Sequence, residues 1–321
     1  MEYRKLPQLD REASRLVLGT SGKRFIAGED VEDIIEAALE IGINCLDTAR
    51  EYGKSEEAIG RWLKKSGKRD QIVLISKCCP PHFAFLQRMN EKAAEEDLKK
   101  SLDALGTDHI DLYLFHRDQE SVPVETVVEF MNRFLEEGKI RAYGGSNWSA
   151  KRIAAANAYA EKNGLVGFTA TSPHYSLGRQ KRDPWGNGCK SITGDQMKDE
   201  RAYYLQTQMP IFCWSSLCNG VFSGKLASTD KGQIMKMFGF NTFWGYDCPD
   251  NYERLARCEE LAKKKDTTVS AITLAWVLGS ELNTFPIVSA SSPKRLKENG
   301  KVSELTLTEE ERTWLNLGAK E

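Results

Sequence analysis

The chain of 321 residues carries no appreciable charge of either sign: 45 Lys and Arg stand against 46 Asp and Glu, a formal net charge of −1. That balance removes the electrostatic footprint expected of a nucleic-acid or anionic-membrane partner. No apolar run approaches the roughly 18 residues of a membrane span. The first residues, Met1, Glu2, Tyr3, Arg4 and Lys5, lack the apolar core of a secretory signal, so a cytoplasmic location is expected. Eight cysteines are scattered, and Cys45 and Cys213 sit in apolar strand-like surroundings; reduced thiols fit this better than a disulfide framework. Cys78, Cys79 and His82 match no standard zinc spacing, so no metal is expected. A chain of this length buries enough core to need neither staple.

What is present is one unit repeated. Strand-like apolar runs fall at residues 16–19, 43–47, 72–76, 110–115, 140–144, 168–171, 211–214 and 285–288. Amphipathic stretches separate them. One starts at Asp30 and closes at Gly42, and another has Ser55 as N-cap before Glu56 and Glu57. Others start at Asn90, Pro123 and Ser149, with Gly164 ending that last one, and Thr308 with Glu311 reads as a capping box. Eight strands alternating with helices, without a break in composition, predict a (β/α)8 TIM barrel with an extra C-terminal helix. The whole chain, 1–321, is expected to form one domain, with residues 1–15 as an N-terminal cap segment. A doubly wound sheet is the alternative. It would announce a dinucleotide site by G-x-G-x-x-G after the first strand, and residues 19–22 read GTSG instead. Trp62, Trp276 and Trp314 are expected to be packing residues on helices.

Three stretches break the regularity: 78–90, 178–200 and 227–249. Each follows a strand, so each is expected over the C-terminal mouth, where barrel enzymes keep their sites. They hold His82, Phe83, Phe85, Trp185, Phe238, Phe243 and Trp244, which suits loops that close over a ligand.

Asp47, Tyr52, Lys77 and His116 fall at or just past strand ends. Singly, each has an ordinary explanation: a helix cap, a turn tyrosine, a snorkelling lysine, a core histidine. A parallel barrel brings all four to one rim, and together they make chemical sense. A phenol with a pKa near 10 is a poor proton shuttle at neutral pH; an adjacent ammonium lowers that value. Asp47 would hold Lys77 charged, and a neutral His116 would orient a carbonyl oxygen toward the Tyr52 hydroxyl. Such an acid needs a hydride donor that no side chain supplies, so a cofactor is required.

These stretches resemble the aldo-keto reductase family: LDTAREYG at 46–53, ISK at 75–77, DLYLFH at 111–116 and GKIRAYGGSN at 138–147, in family order. The resemblance runs from near Leu18 to about residue 317. It implies that Asp47, Tyr52, Lys77 and His116 form a catalytic tetrad, with Tyr52 as acid and base. It also implies a cofactor site reached by Gly19, Thr20 and Asp47. Ser146 and Asn147 would grip the nicotinamide carboxamide, and Trp214 would stack on the ring. Ser215, Leu217, Gly220, Ser223 and Lys225 would run along the pyrophosphate. Ser291, Arg295, Glu298 and Asn299 would hold the adenosine 2′-phosphate and adenine. Two positions depart from the family: Ser172 replaces a frequent glutamine, and Ser289 replaces a frequent lysine or arginine. With Arg295 left to meet the phosphate, NADP(H) is the expected cofactor and NAD(H) the alternative.

The substrate is expected to be a small carbonyl compound. Candidate contacts are His82, Arg117, Trp148, Trp185 and Trp244. Arg117 and Asp118 after His116 hint at a polyhydroxylated, sugar-like carbonyl. The competing functional reading is a cofactor-sensing regulatory subunit, similar to channel-associated members of the same family; no long N-terminal extension precedes the first strand, which counts against it. Oligomeric state is not legible.

Overall fold

A computed structural model describes residues 1–81, 88–186 and 188–318. The strands are β1 (Tyr3–Lys5), β2 (Glu12–Ser14), β3 (Val17–Gly19), β4 (Cys45–Asp47), β5 (Val73–Cys78), β6 (Ile110–Phe115), β7 (Ile140–Ser146), β8 (Ala170–Ser172), β9 (Ile211–Cys213) and β10 (Thr284–Val288). β3 to β10 close into a parallel barrel in chain order, with β10 against β3. This is the (β/α)8 barrel expected from the alternation, and it rules out the open sheet.

Parity along each strand decides where every side chain goes. Val73 and Ile75 of β5 point into the lumen with Val17, Cys45, Leu112, Leu114, Ala142, Ala170, Phe212 and Phe285. Leu74, Cys78, Tyr113 and Phe115 point outward into the layer shared with the helices. Phe212 and Phe285 stack with ring centres 4.9 Å apart and fill the lumen. Gly144 lets β7 and β8 approach, because a Cβ there would lie 2.1 Å from the Ala170 carbonyl oxygen. The floor is closed by the antiparallel β1–β2 hairpin, whose Leu6, Leu9 and Ala13 join the lumen cluster. Residues 1–15 therefore plug the N-terminal end.

Outside, each helix buries one stripe. Val124–Glu136 buries Val127, Val128, Met131 and Phe134 at helical spacing. Asn90 and Ser149 cap their helices through side-chain acceptance from Ala93 N and Arg152 N, and Thr308 with Glu311 forms a complete capping box. Gly42 sits at φ +85° just past the helix Glu32–Glu40, the left-handed position that glycine permits. That helix starts at Glu32 rather than Asp30, although the Asp30 carboxylate accepts from the Glu32 N–H at 3.0 Å. Ser55 is not an N-cap: Lys54 occupies that position, and the buried Ser55 hydroxyl bonds Thr20 Oγ1 at 2.7 Å and Thr48 Oγ1 at 3.0 Å. Trp62 and Trp276 are buried and Trp314 packs against the same core, as expected of packing residues. Stretch 227–249 is irregular only in part: turns at 227–233 lead into helices Ile234–Phe238 and Phe240–Tyr246.

Among the described residues no helix is long and apolar enough to cross a membrane. The eight cysteines are free, and no group of three or more potential ligands stands ready for a metal among the described residues.

Candidate active site

The lumen parity continues past the last apolar layer, and that is what assembles the site. Asp47 lies two residues beyond the inward Cys45, Lys77 two beyond Ile75, His116 two beyond Leu114, Ser146 two beyond Gly144, and Ser172 two beyond Ala170. All five are nearly inaccessible. Lys77 Nζ lies 2.6 Å from Asp47 Oδ1 and donates to the Thr48 carbonyl at 3.0 Å. It also lies 5.0 Å from the centre of the Tyr52 ring. The Tyr52 and His116 rings meet edge to face at 5.7 Å. The four residues named from sequence thus converge.

Their electrostatics differ from expectation in one respect. Burial raises the Tyr52 phenol above its ordinary range, and Lys77 only partly offsets this. The phenol is therefore protonated at neutral pH, ready to donate rather than already ionised. Burial opposes the Lys77 charge, but Asp47 and Tyr52 outweigh it and hold the ammonium charged. His116 is pushed well below the ordinary imidazole range by burial, with Arg117 and Lys77 adding to the effect, so it is neutral at pH 7.

The neighbouring polar residues form a second cluster. Ser146 Oγ donates to the Ser172 carbonyl at 2.8 Å. Asn147, at φ +63°, donates to the His116 carbonyl at 3.2 Å and accepts from Trp214 Nε1 at 3.2 Å and Lys190 N at 3.0 Å. Its amide thus already ties β6, β7 and the strand-end Trp214 together. Ser172 Oγ, by contrast, is buried with no hydrogen-bond partner. An orphaned hydroxyl beside Ser146 fits a carboxamide that would pair with it. After β9, left-handed backbone at Ser215, Cys218, Asn219 and Gly220 shapes a tight loop, closed by Ser223 Oγ donating to the Gly220 carbonyl at 2.6 Å. Leu217 is half-buried and Lys225 is exposed at the far end of this loop.

The helix Pro293–Gly300 is capped by Ser292, with Ser291 one residue outside it. Arg295 is paired with Glu298 at 2.8 Å and remains accessible, while Asn299 is buried. Thr20 is buried and its hydroxyl donates to the Asp47 carbonyl at 2.9 Å, tying the end of β3 to β4. Ser289 Oγ likewise donates to the Gly19 carbonyl at 3.0 Å.

Two residues named as substrate-side do not face the mouth. Trp148 is 1 % exposed, packed between Phe115 and Phe168 in the outer layer, because the left-handed turn at Asn147 swings it outward. Asp118 is buried and engaged by Arg152 at 3.0 Å. Arg117 stays close enough to Tyr52 to affect its charge, although Nη1 turns to the His116 carbonyl at 2.8 Å. Trp185 reaches the site edge to face with Trp214 at 5.4 Å. Trp244 is exposed, and His82 lies outside the described residues.

Sequence reasoning missed His174. It is fully buried, its ring nitrogens meet Ser191 Oγ at 2.8 Å and Ser176 Oγ at 3.1 Å, and its ring lies 5.0 Å from Trp214. Its signal was parity: it stands two residues beyond the inward Ser172. Two surface cavities, of about 350 Å³ near Arg11 and Asp111 and about 490 Å³ near Trp276 and Leu307, touch none of the mouth residues.

A parallel barrel whose C-terminal rim gathers Tyr, Lys, Asp and a neutral His beside an indole has the makings of a carbonyl-handling oxidoreductase site. The chain belongs to the aldo/keto reductase family, whose model matches residues 15–315. It is 29% identical to Aldo-keto reductase YhdN of Bacillus subtilis, covering 98% of this chain and 93% of that protein. It is 26% identical to Norsolorinic acid reductase A of Aspergillus parasiticus (95% and 77%). It is also 27% identical to a putative voltage-gated potassium channel subunit beta of Schizosaccharomyces pombe (94% and 88%). The family and its oxidoreductase relatives support carbonyl reduction as the general activity.

Proposed function

We propose that this protein reduces an aldehyde or ketone, with NADP(H) as the cofactor and Tyr52 as general acid and base. The observation that carries the reading is the buried Lys77 ammonium, 2.6 Å from Asp47 and 5.0 Å from the Tyr52 ring centre at the barrel mouth. Bound NADP(H) would supply the hydride. Tyr52 gives its hydroxyl proton to the carbonyl oxygen, and the phenolate left behind is stabilised by Lys77, which Asp47 keeps charged. Neutral His116 holds the carbonyl oxygen by an N–H without competing for that proton. In the oxidative direction Tyr52 takes the proton back.

The cofactor reading is supported by the unpaired Ser172 hydroxyl beside Ser146 and by the accessible Arg295 at the first turn of Pro293–Gly300. Arg295 would leave Glu298 to meet a 2′-phosphate, which favours NADP(H) over NAD(H). A second reading, a cofactor-sensing regulatory subunit with little turnover, draws on the similarity to the Schizosaccharomyces pombe protein. The test is titration with NADPH and NADH followed by tryptophan fluorescence, then NADPH oxidation across a panel of aldehydes. Quenching through Trp214, tighter with NADPH, and steady turnover are expected. Quenching with no turnover on any aldehyde would favour the regulatory reading; absence of quenching with either nucleotide would refute both.

A further inference from the structure

Five of the nine exposed large apolar side chains among the described residues fall in two short segments beside the mouth: Trp185 at 40 %, Met235 at 52 %, Met237 at 43 %, Phe240 at 58 % and Trp244 at 39 %. Scattered singly they would need no explanation, but clustered exposure of this kind marks a binding surface. They are joined to the reaction site. Trp185 meets Trp214 at 5.4 Å. Its neighbour Pro184 packs on Gly245, where an added Cβ would lie 3.0 Å from Pro184 Cβ. Trp244, the residue before Gly245, stacks on Phe240 at 5.9 Å with the rings only 20° from parallel. The Arg182 guanidinium covers the Trp244 ring at 4.2 Å.

These rings are not on a loose flap. Lys181 N donates to the Gly245 carbonyl at 2.7 Å, and Lys181 Nζ to the Asp247 carbonyl at 2.8 Å. Asn219 Nδ2 donates to Thr242 Oγ1 at 2.6 Å, and the Tyr252 hydroxyl accepts from Gly232 N at 3.1 Å while donating to Asp247 at 2.8 Å. The stretch 227–249 adds nothing to barrel closure, yet it holds flat apolar groups in fixed positions, partly in water. Rigid presentation lowers the entropy lost when a ligand binds, and flat rings reward flat partners. A small polyhydroxylated carbonyl would make no use of them. The polar pair that hinted at such a substrate is also reduced, since Asp118 is buried against Arg152.

We infer that the substrate carries its carbonyl on a large, flat, apolar body, a fused-ring aromatic or its equivalent, which lies along the Trp185–Trp244–Phe240 rim while the carbonyl reaches Tyr52. This rests on the carbonyl-reductase reading above. The experiment compares anthraldehyde with glyceraldehyde on the NADPH-loaded protein, and measures anthraldehyde binding to the NADP+ complex by equilibrium dialysis. Wild type should prefer anthraldehyde in kcat/KM, and Phe240→Ala should lower the ratio of the two kcat/KM values about tenfold, mainly through KM. Trp185→Ala should weaken anthraldehyde binding by a similar factor. A ratio unchanged by Phe240→Ala, or a wild type indifferent between the two aldehydes, would overturn the inference. Should neither aldehyde turn over, dialysis still decides: anthraldehyde binding lost in both variants supports the rim and counts against the reductase reading alone. No binding to wild type would sink the rim.

Discussion

At the N-terminal end of the barrel the buried Arg15 guanidinium has a partner for every nitrogen: the Thr284 carbonyl at 3.2 Å, the Leu278 carbonyl at 2.9 Å and Glu2 at 2.9 Å. Nearby, Asp111 accepts from Leu74 N at 2.8 Å and pairs with Arg69 at 2.9 Å. At the C-terminal end Ser172 Oγ and Arg117 Nε lack hydrogen-bond partners, and His116 Nδ1 has only the Glu51 carboxylate, at 3.5 Å. Both ends take polar groups out of water, at a cost of about 1–3 kcal/mol for each one left unmatched. Arg15 and Asp111 recover that cost within the chain, while Ser172 and Arg117 leave it outstanding, as groups set to be completed by a ligand would. Polar groups at the floor hold the barrel shut; those at the mouth are available for chemistry.

Substitutions at the two ends should therefore fail differently. Lys77→Met breaks a buried pair and strands Asp47, so stability should fall by about 3–5 kcal/mol, read from the urea midpoint, and turnover should drop with it. Arg15→Met should cost about 1.5–3 kcal/mol through lost charged hydrogen bonds, while kcat/KM of the folded protein stays within a factor of about two. Equal catalytic damage at both ends would erase the distinction.

Acid should expose the mouth's buried imidazoles. Burial lowers His174 to about 3, and His116 also sits well below its ordinary value. In the unfolded chain both take up protons below about 6.5, whereas the folded chain cannot until far lower pH. The stability these two histidines contribute is thus complete above pH 6.5 and falls as pH drops toward 3, by up to about 1.4 kcal/mol per pH unit for each. His174→Gln should flatten part of that slope between pH 7 and 5. The smallest effect is expected at Ser172→Ala: no loss of stability, since the hydroxyl has no partner to lose, but a cofactor Kd raised about three- to tenfold, seen by fluorescence titration.

How far the sequence could be read follows the same division. The eight barrel strands were visible because each is a buried apolar run, and the tetrad because inward parity carries polar residues just beyond those runs. The floor hairpin was visible only as a cap segment, since β1 and β2 have three residues each and mixed polarity, too short to show a period. Ser55 before two glutamates looked like a cap, but tertiary bonds to Thr20 and Thr48 claimed its hydroxyl. Trp148 was misplaced because nothing in Ser-Asn-Trp declares that Asn147 takes a left-handed turn. The protonated state of Tyr52 depends on how completely the barrel dehydrates it, which no local pattern records. His174 escaped because its strand was read as ending at Thr171, one residue before Ser172.

The most direct measurement is NADPH oxidation by Tyr52→Phe, with tryptophan quenching recorded on the same samples. The variant keeps the ring that meets His116 and Lys77 and loses only the hydroxyl. Cofactor quenching equal to wild type with turnover reduced by about 10²- to 10⁴-fold is predicted. Turnover close to wild type, with cofactor bound equally well, would contradict the assignment of Tyr52 as the proton donor.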